Sequence, residues 1–411
     1  MKKQKAVIVG ASHAAAQLSV SLRQQGWQGD ILMIGDEPHL PYHRPPLSKS
    51  FLSPDQSIDD LLIRPAAFYE KNNIQFYHGR VLSINRQQQK LLLADGSEQP
   101  YDKLALCLGA RARGIELAGS QLSGIYSVRH AADVTAMKAQ LGSAKNAVII
   151  GGGYIGLETA SALRQQGINV VVLEMAERIL QRVTAPELSE FYSRVHAEEG
   201  VAIHTGISIT EIIGTTQVEA VACSNGMIFP ADFVVLGVGV DPNTALAEDA
   251  GILINNGIVV DDYCRTNDPN IVAAGDCTNH FNTHYKRHIR LESVPNANEQ
   301  AKVAAASICG LNRAYKSLPW FWSDQYDLKL QIAGLSQGYD QLVIRGDQHV
   351  GRSFAAFYFK NDQLIAADCV NRPQEFMLSK KVISEKIAIH ITQLIDESVS
   401  IKDMLQRLSP R

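Results

Sequence analysis

The chain opens with a short apolar run, Ala6–Val9, that breaks at Gly10. Small and apolar residues return at helical spacing over Ala14–Gln25, and a second apolar run follows at Ile31–Gly35. Short apolar runs bounded by glycine predict strands buried on both faces, and the periodic stretch between them predicts a crossover helix. The order recurs in "NAVIIGGGYIGLETASALRQQGINVVVLEM": strand Ala147–Ile150, glycine loop, helix Ile155–Gln166, strand Val170–Leu173. Both copies carry "LRQQG", at 22–26 and 163–167, so the unit is an internal repeat. Strand–helix–strand units of this length build parallel sheets.

From about Pro319 the pattern changes. "PWFWSDQYDLKLQIAGL" and "FAAFYFKNDQLIAADCVN" predict antiparallel strands, and the residues from Ser379 onward predict mostly helix. The fold expected is therefore α/β, with two Rossmann-like dinucleotide-binding domains and a C-terminal α/β domain carrying an antiparallel sheet.

Composition narrows the class. The 411 residues are 45% hydrophobic and 20% charged, with a net charge of −3. That suffices for two or three cored domains and gives no general basic surface for nucleic acid. No apolar run reaches the roughly 18–20 residues of a membrane span. The start, MKKQKAVIVGAS, lacks the apolar segment of a secretory signal. Cysteines stand at 107, 223, 264, 277, 309 and 369, with no C-x-x-C. Scattered thiols without metal spacing point to a reducing cytoplasm and no metal site.

The second loop is the sharper motif. Gly151, Gly153 and Gly156 match G-x-G-x-x-G between strand and helix, with Tyr154 and Ile155 opening the helix. The first glycine allows the turn, the second admits pyrophosphate, and the third lets helix pack on strand. The helix start offers free N–H groups to phosphate. Glu174 ends the next strand, where a carboxylate accepts ribose hydroxyls and repels a 2′-phosphate, favouring NADH. Arg178 and Arg182, close by, would blunt that preference. In the first copy Gly10, Ala14 and Ala15 serve the same geometry and Asp36 is the acid, but Ser12 replaces the middle glycine. On its own that copy is a weak signal, and a plain strand-turn-helix stays open as the alternative reading.

Two such loops, a late "TNDPNIVAAGDC" ending in Gly275-Asp276, and the segments "YHRPPLSKSFL" (42–52), "RLESVPNANEQA" (290–301) and "PWFWSDQY" (319–326) together resemble the FAD-containing ferredoxin reductases of bacterial oxygenase systems. The resemblance runs over roughly residues 5 to 400. It implies a glutathione-reductase-like architecture: an FAD domain of 1–112 and 242–318, an NAD domain of 113–241, and a C-terminal domain of 319–411. It assigns Gly10, Ser12, His13, Ala14, Asp36, Arg44, Lys49, Val81, Arg129, Gly275, Asp276, Val294 and Trp322 to FAD. To NAD it assigns Gly151, Gly153, Tyr154, Ile155, Gly156, Glu158, Glu174, Arg182 and Gly239. Lys49, Glu158 and Trp322 would form the catalytic set, with Lys49 pairing with Glu158 across the domains at the flavin–nicotinamide contact. His13 gets no chemical role. The family's usual A-T-G is Cys107-Leu108-Gly109 here, which puts side-chain contacts at that crossing in question.

"SVPNANEQ" predicts a helix start, with Pro295 at the first position and Asn296 and Glu299 as a capping pair. Its N–H groups would stabilise charge on reduced flavin. The segment 42–52 has no cysteine, so the C-x-x-x-x-C disulfide of glutathione- and lipoamide-type reductases is absent. The activity implied is hydride transfer from NADH to FAD, then release of single electrons to a [2Fe–2S] ferredoxin supplying a cytochrome P450 or ring-hydroxylating oxygenase. The alternatives are a rubredoxin reductase and a redox-responsive flavoprotein of the apoptosis-inducing-factor type. A basic patch of Arg64, Lys286, Arg287, Arg290 and Lys302 would steer an acidic ferredoxin. A monomer or weak dimer is expected.

Overall fold

A computed structural model describes residues 3–407. The chain divides into two compact units. One comprises the segment ending at Arg44, Ser57–Arg111 and Val240–Pro319; the other comprises Pro45–Gln56, Ala112–Gly239 and the segment beginning at Trp320.

The first unit is built on a five-stranded parallel sheet in the order Ile271–Ala273, Lys103–Leu106, Lys5–Val9, Asp30–Gly35, Ile74–His78. Its central strand shows why the apolar run is unbroken. Ala6 and Ile8 pack into a core with the helices His13–Gln24 and Val294–Ile308. Val7 and Val9, on the opposite face, pack with Val81, Ile84 and Leu91 of the three-stranded meander Val81–Asn85, Lys90–Leu93, Glu98–Pro100. Both faces of the strand are dry, so hydrophobic gain is collected at every position.

The second unit repeats the plan: Ala202–His204, Asn169–Leu173, Asn146–Ile150, Phe233–Leu236, Ile125–Ser127, all parallel. It adds a five-stranded antiparallel sheet in the order Trp320–Gln325, Leu328–Gly334, Gln363–Val370, Ser353–Lys360, Gln341–Asp347. The helix Pro373–Glu385 packs on that sheet, starting six residues before the predicted helical stretch. The helices Ile391–Ile395 and Ile401–Arg407 follow it; the final four residues of the predicted stretch lie outside the described residues.

The "LRQQG" repeat has one structural meaning in both copies. Arg23 donates to the carbonyls of Trp27 and Gly29 just past its own helix, and to Asn72 and Asn73 at the end of the next helix. Arg164 does the same to Ile168 and to Glu199. Each arginine fastens two helix ends whose carbonyls would otherwise lack partners.

Among the described residues no helix is long and apolar enough to cross a membrane, and no cluster of His, Cys, Asp or Glu could hold a metal.

Candidate active site

The two glycine loops share their geometry. Gly10 has φ 109° and Gly151 φ 108°. A Cβ on either would collide with a carbonyl oxygen of a neighbouring strand end, Cys107 for Gly10 and Gly237 for Gly151. Only glycine is unstrained there. At the next helix start the copies diverge. Gly153 caps its helix with φ −82° and ψ 178°, and a Cβ there would meet nothing within 4 Å, an open cradle. Ser12 holds the matching place at φ −131° and ψ −157°, an extended conformation any residue adopts. Neither helix start is capped by a side chain. An N-terminus left open in this way suits an anionic pyrophosphate, so both loops fit a dinucleotide.

Ser12 turns its hydroxyl sideways. Its Oγ accepts from Arg44 Nε at 3.0 Å, while Arg44 Nη2 donates to Glu37 at 2.6 Å and the guanidinium lies over Tyr42. Tyr42 O–H donates to the other Glu37 oxygen at 2.6 Å. Asp36, the acid expected from spacing, is exposed, and its carbonyl oxygen faces His78. Glu37 next to it makes the structural contacts and was invisible to the spacing rule. His13 opens the helix, buried, with Nε2 at 3.3 Å from His43 Nδ1. A Cβ on Gly275 would touch Ala14, which places the "AAGDC" turn beside the first loop; Asp276 adjoins it. Gly275 N–H donates to Gln300 at 2.8 Å. Val81 is buried at the start of the meander and Val294 opens its helix half-buried.

That helix corrects a sequence expectation. Its cap is Ser293, whose hydroxyl accepts from Asn296 N–H at 3.3 Å, and no Asn296–Glu299 capping pair forms. The Asn296 side chain is buried and engaged with Leu291 O, Gln300 and Tyr315. Glu299 instead pairs with Lys302. At the altered Cys107-Leu108-Gly109 crossing, Asn243 supplies the contacts in question: its side chain donates to Leu108 O and its N–H to Gly109 O. Burial, then neighbouring Cys277 and Cys264, pushes the Cys107 thiol well up, so it is no nucleophile.

In the second unit Lys49 Nζ lies 2.5 Å from Glu158 Oε2, with Glu158 only 5% exposed. Both residues belong to the second compact unit. Ser48 Oγ donates to the same oxygen at 2.5 Å, and Ser323 Oγ donates to Oε1 at 2.6 Å. Ser48 and Ser323 were missed, because they lie 110 and 165 residues from their partner. Trp322, beside Ser323, is half-buried against Trp320. Tyr154 stacks on Phe321 at 5.0 Å between centroids. Ile155 is exposed at the helix start, and Arg129 is half-buried.

Glu174 ends its strand as predicted. Its two oxygens accept from Gly152 N–H at 2.7 Å and Ala176 N–H at 2.8 Å. The carboxylate is thus pinned to the loop and keeps lone pairs to spare. Arg178 is spent on Ser189 and Gln181 O, whereas Arg182 is exposed and its guanidinium lies 3.9 Å from where a Cβ on Gly239 would stand.

Arg64, Lys286 and Arg287 are exposed, but Arg290 pairs with Glu292 and Lys302 with Glu299, both half-buried. All six cysteines are unpaired, five of them buried.

Two dinucleotide folds, a Lys–Glu pair on a buried carboxylate and a five-stranded antiparallel sheet fit a flavoprotein reductase of the two-dinucleotide class. Residues 4–301 match the pyridine nucleotide-disulphide oxidoreductase family, and 320–405 match the reductase C-terminal family. Putidaredoxin reductase CamA of Pseudomonas putida is 40% identical over 97% of this chain and 96% of its own. The ferredoxin--NAD(+) reductase component of the anthranilate 1,2-dioxygenase system of Burkholderia cepacia is 40% identical over 97% and 98%. The crystal structure of the covalent putidaredoxin reductase–putidaredoxin complex superposes with a TM-score of 0.96 at 39% identity, covering 100% of both chains. The chain belongs to the pyridine nucleotide-disulphide oxidoreductase family and, within it, to the FAD- and NAD(H)-dependent ferredoxin reductases.

Proposed function

We propose that this chain is an NADH:ferredoxin reductase that supplies a cytochrome P450 or ring-hydroxylating oxygenase. The observation that carries the reading is likeness over nearly the full length to a reductase crystallised in covalent complex with putidaredoxin. FAD, when bound, takes two electrons from NADH as a hydride and returns them one at a time.

The residues divide the work. In this reading 1–112 with 242–318 binds FAD, 113–241 binds NADH and 319–411 is the C-terminal domain. Gly10, Ala14, Gly275 and the open helix start at His13 take the FAD pyrophosphate, and Arg44, Asp36, Val81, Arg129, Asp276 and Val294 are further FAD contacts. Gly151, Gly153 and Gly156 take the NADH pyrophosphate, and the pinned Glu174 takes the ribose and rejects a 2′-phosphate. Lys49, held by Glu158, places its ammonium at the flavin edge, and Trp322 covers the ring. Arg64, Lys286 and Arg287 steer an acidic [2Fe–2S] partner, in the cytoplasm.

The test is anaerobic mixing of the purified yellow protein with NADH, followed by cytochrome c reduction with and without added ferredoxins and rubredoxins. Bleaching by NADH and acceleration by a ferredoxin are expected. Colourless protein, a flavin that NADH leaves oxidised, or acceleration by rubredoxin alone overturns the reading.

A further inference from the structure

Beyond the Lys49–Glu158 pair, the second unit contains a continuous line of side-chain hydrogen bonds that ends on the Glu158 carboxylate. Its members come from three separated stretches of sequence. Ser323, Gln325 and Tyr326 lie on or just after the strand Trp320–Gln325, and His196 lies in the helix Pro186–Glu198. Ser323, Gln325 and His196 are buried, His196 and Ser323 completely.

The polarity of the line can be worked out from one end. A carboxylate only accepts, so Ser323 must spend its single hydroxyl proton on Glu158 Oε1, at 2.6 Å. Ser323 Oγ must then accept from Gln325, and the amide nitrogen of Gln325 stands 3.2 Å away. With its nitrogen so committed, Gln325 presents its oxygen to His196 Nε2 at 2.8 Å, and that nitrogen must carry the proton. Burial holds the imidazole neutral by pushing its pKa down to about 4. His196 Nδ1 is therefore a bare acceptor, and Tyr326 O–H, at 3.1 Å, donates to it. Every bond points the same way, from half-buried Tyr326 through His196, Gln325 and Ser323 to Glu158. Dipoles aligned in a low-dielectric interior reinforce one another, and here all of them favour negative charge at the terminus.

We propose that Ser323, Gln325 and His196 are positioning residues for the Lys49–Glu158 pair, forming a one-way donor line that fixes the Glu158 carboxylate and, through it, the Lys49 ammonium. Oε2 is left to Lys49 and Ser48, because Oε1 is taken by Ser323. The relevance of the line to hydride transfer rests on the reading that places Lys49 and Glu158 at the reacting rings. Its existence does not. Tyr154, on the helix of Glu158, and Tyr192, on the helix of His196, also interact electrostatically with Glu158; burial pushes both far up, so they stay neutral. Glu199 is the charged group acting on His196.

The test uses holoenzyme labelled with 13C at glutamate carboxyls, the Glu158 signal being assigned by its loss in Glu158→Gln. Two readouts are taken at one fixed pH in the parent, Ser323→Ala, Ser323→Thr and Tyr326→Phe: the chemical shift of the Glu158 carboxyl carbon and the rate of flavin bleaching by NADH. Loss of one donor changes the hydrogen bonding of the carboxyl group, so Ser323→Ala displaces the Glu158 signal and slows bleaching. Ser323→Thr, which keeps the hydroxyl, restores both. Tyr326→Phe, at the far end, displaces the signal the same way by less, and carries the test if Ser323→Ala fails to fold. A Glu158 signal unmoved in both variants overturns the proposal. A Glu158 signal that moves while the rate of flavin bleaching stays put supports the donor line and overturns the placement of Glu158 at the rings.

Discussion

Replacing Ser12 by alanine takes away one hydrogen bond and little else. The backbone there is extended, so no strain is added or relieved, and the hydroxyl caps nothing, so the usual N-cap penalty does not arise. What goes is the 3.0 Å acceptor for Arg44 Nε. A hydrogen bond to a charged group contributes about 1.5–3 kcal/mol when buried; with the Arg44 side chain 19% exposed and still tied to Glu37, about 1 kcal/mol is the working figure. If Arg44 holds FAD, that loss appears as about fivefold weaker FAD binding. Glycine, which brings no bulk, retains FAD at nearly the same affinity as alanine. Valine loses the same bond and adds two methyl groups beside the phosphate loop, so it weakens FAD further. The assay is titration of apoprotein with FAD, read by flavin fluorescence, for Ser12→Ala, Arg44→Met and the double variant. A coupling of about 1 kcal/mol between the two changes is expected. Strictly additive losses, or a valine variant that binds FAD as the parent does, would refute the reasoning.

Gly151→Ala drives a Cβ into the Gly237 carbonyl at a positive φ, and should raise the KM for NADH at least tenfold while flavin content stays normal. Steady-state kinetics beside an absorbance spectrum checks it. Asp368 is buried against Tyr358, and burial raises its carboxyl from 3.8 to about 7. A raised acid contributes stability that is complete below the unfolded pKa and lost as pH climbs towards 7, so Asp368→Asn should flatten the fall in thermal stability between about pH 4 and 7. Melting curves in which the asparagine variant tracks the parent across that window would contradict this. Lys286→Glu with Arg287→Glu should slow ferredoxin reduction several-fold at low salt, and the difference should vanish near 0.5 M salt. Changing paired Arg290 or Lys302 should matter less, and stopped-flow rates against ionic strength will show the order.

The parts of the fold legible in the sequence were those set by neighbours along the chain. Strand, glycine turn and helix are a local matter, and both loops form within a residue of where the pattern puts them. The pairing of Arg290 and Lys302 was also legible, since Glu292 and Glu299 sit two and three residues from their cations, but counting positive charges alone passes over them. The capping pair at 296 and 299 failed for a different reason. An asparagine free to cap is indistinguishable by spacing from one drawn into the interior by Gln300 and Tyr315. The partners of Glu158 were beyond reach because chain contacts of this separation are made only by the finished fold.

Arg23 and Arg164 show what the repeated "LRQQG" means for the history and handling of the chain. Each half of a duplicated plan kept its own clasp, made from its own side chain and closed on its own carbonyls. A lesion at one clasp therefore releases carbonyls of its own unit and leaves the other clasp's hydrogen bonds in place.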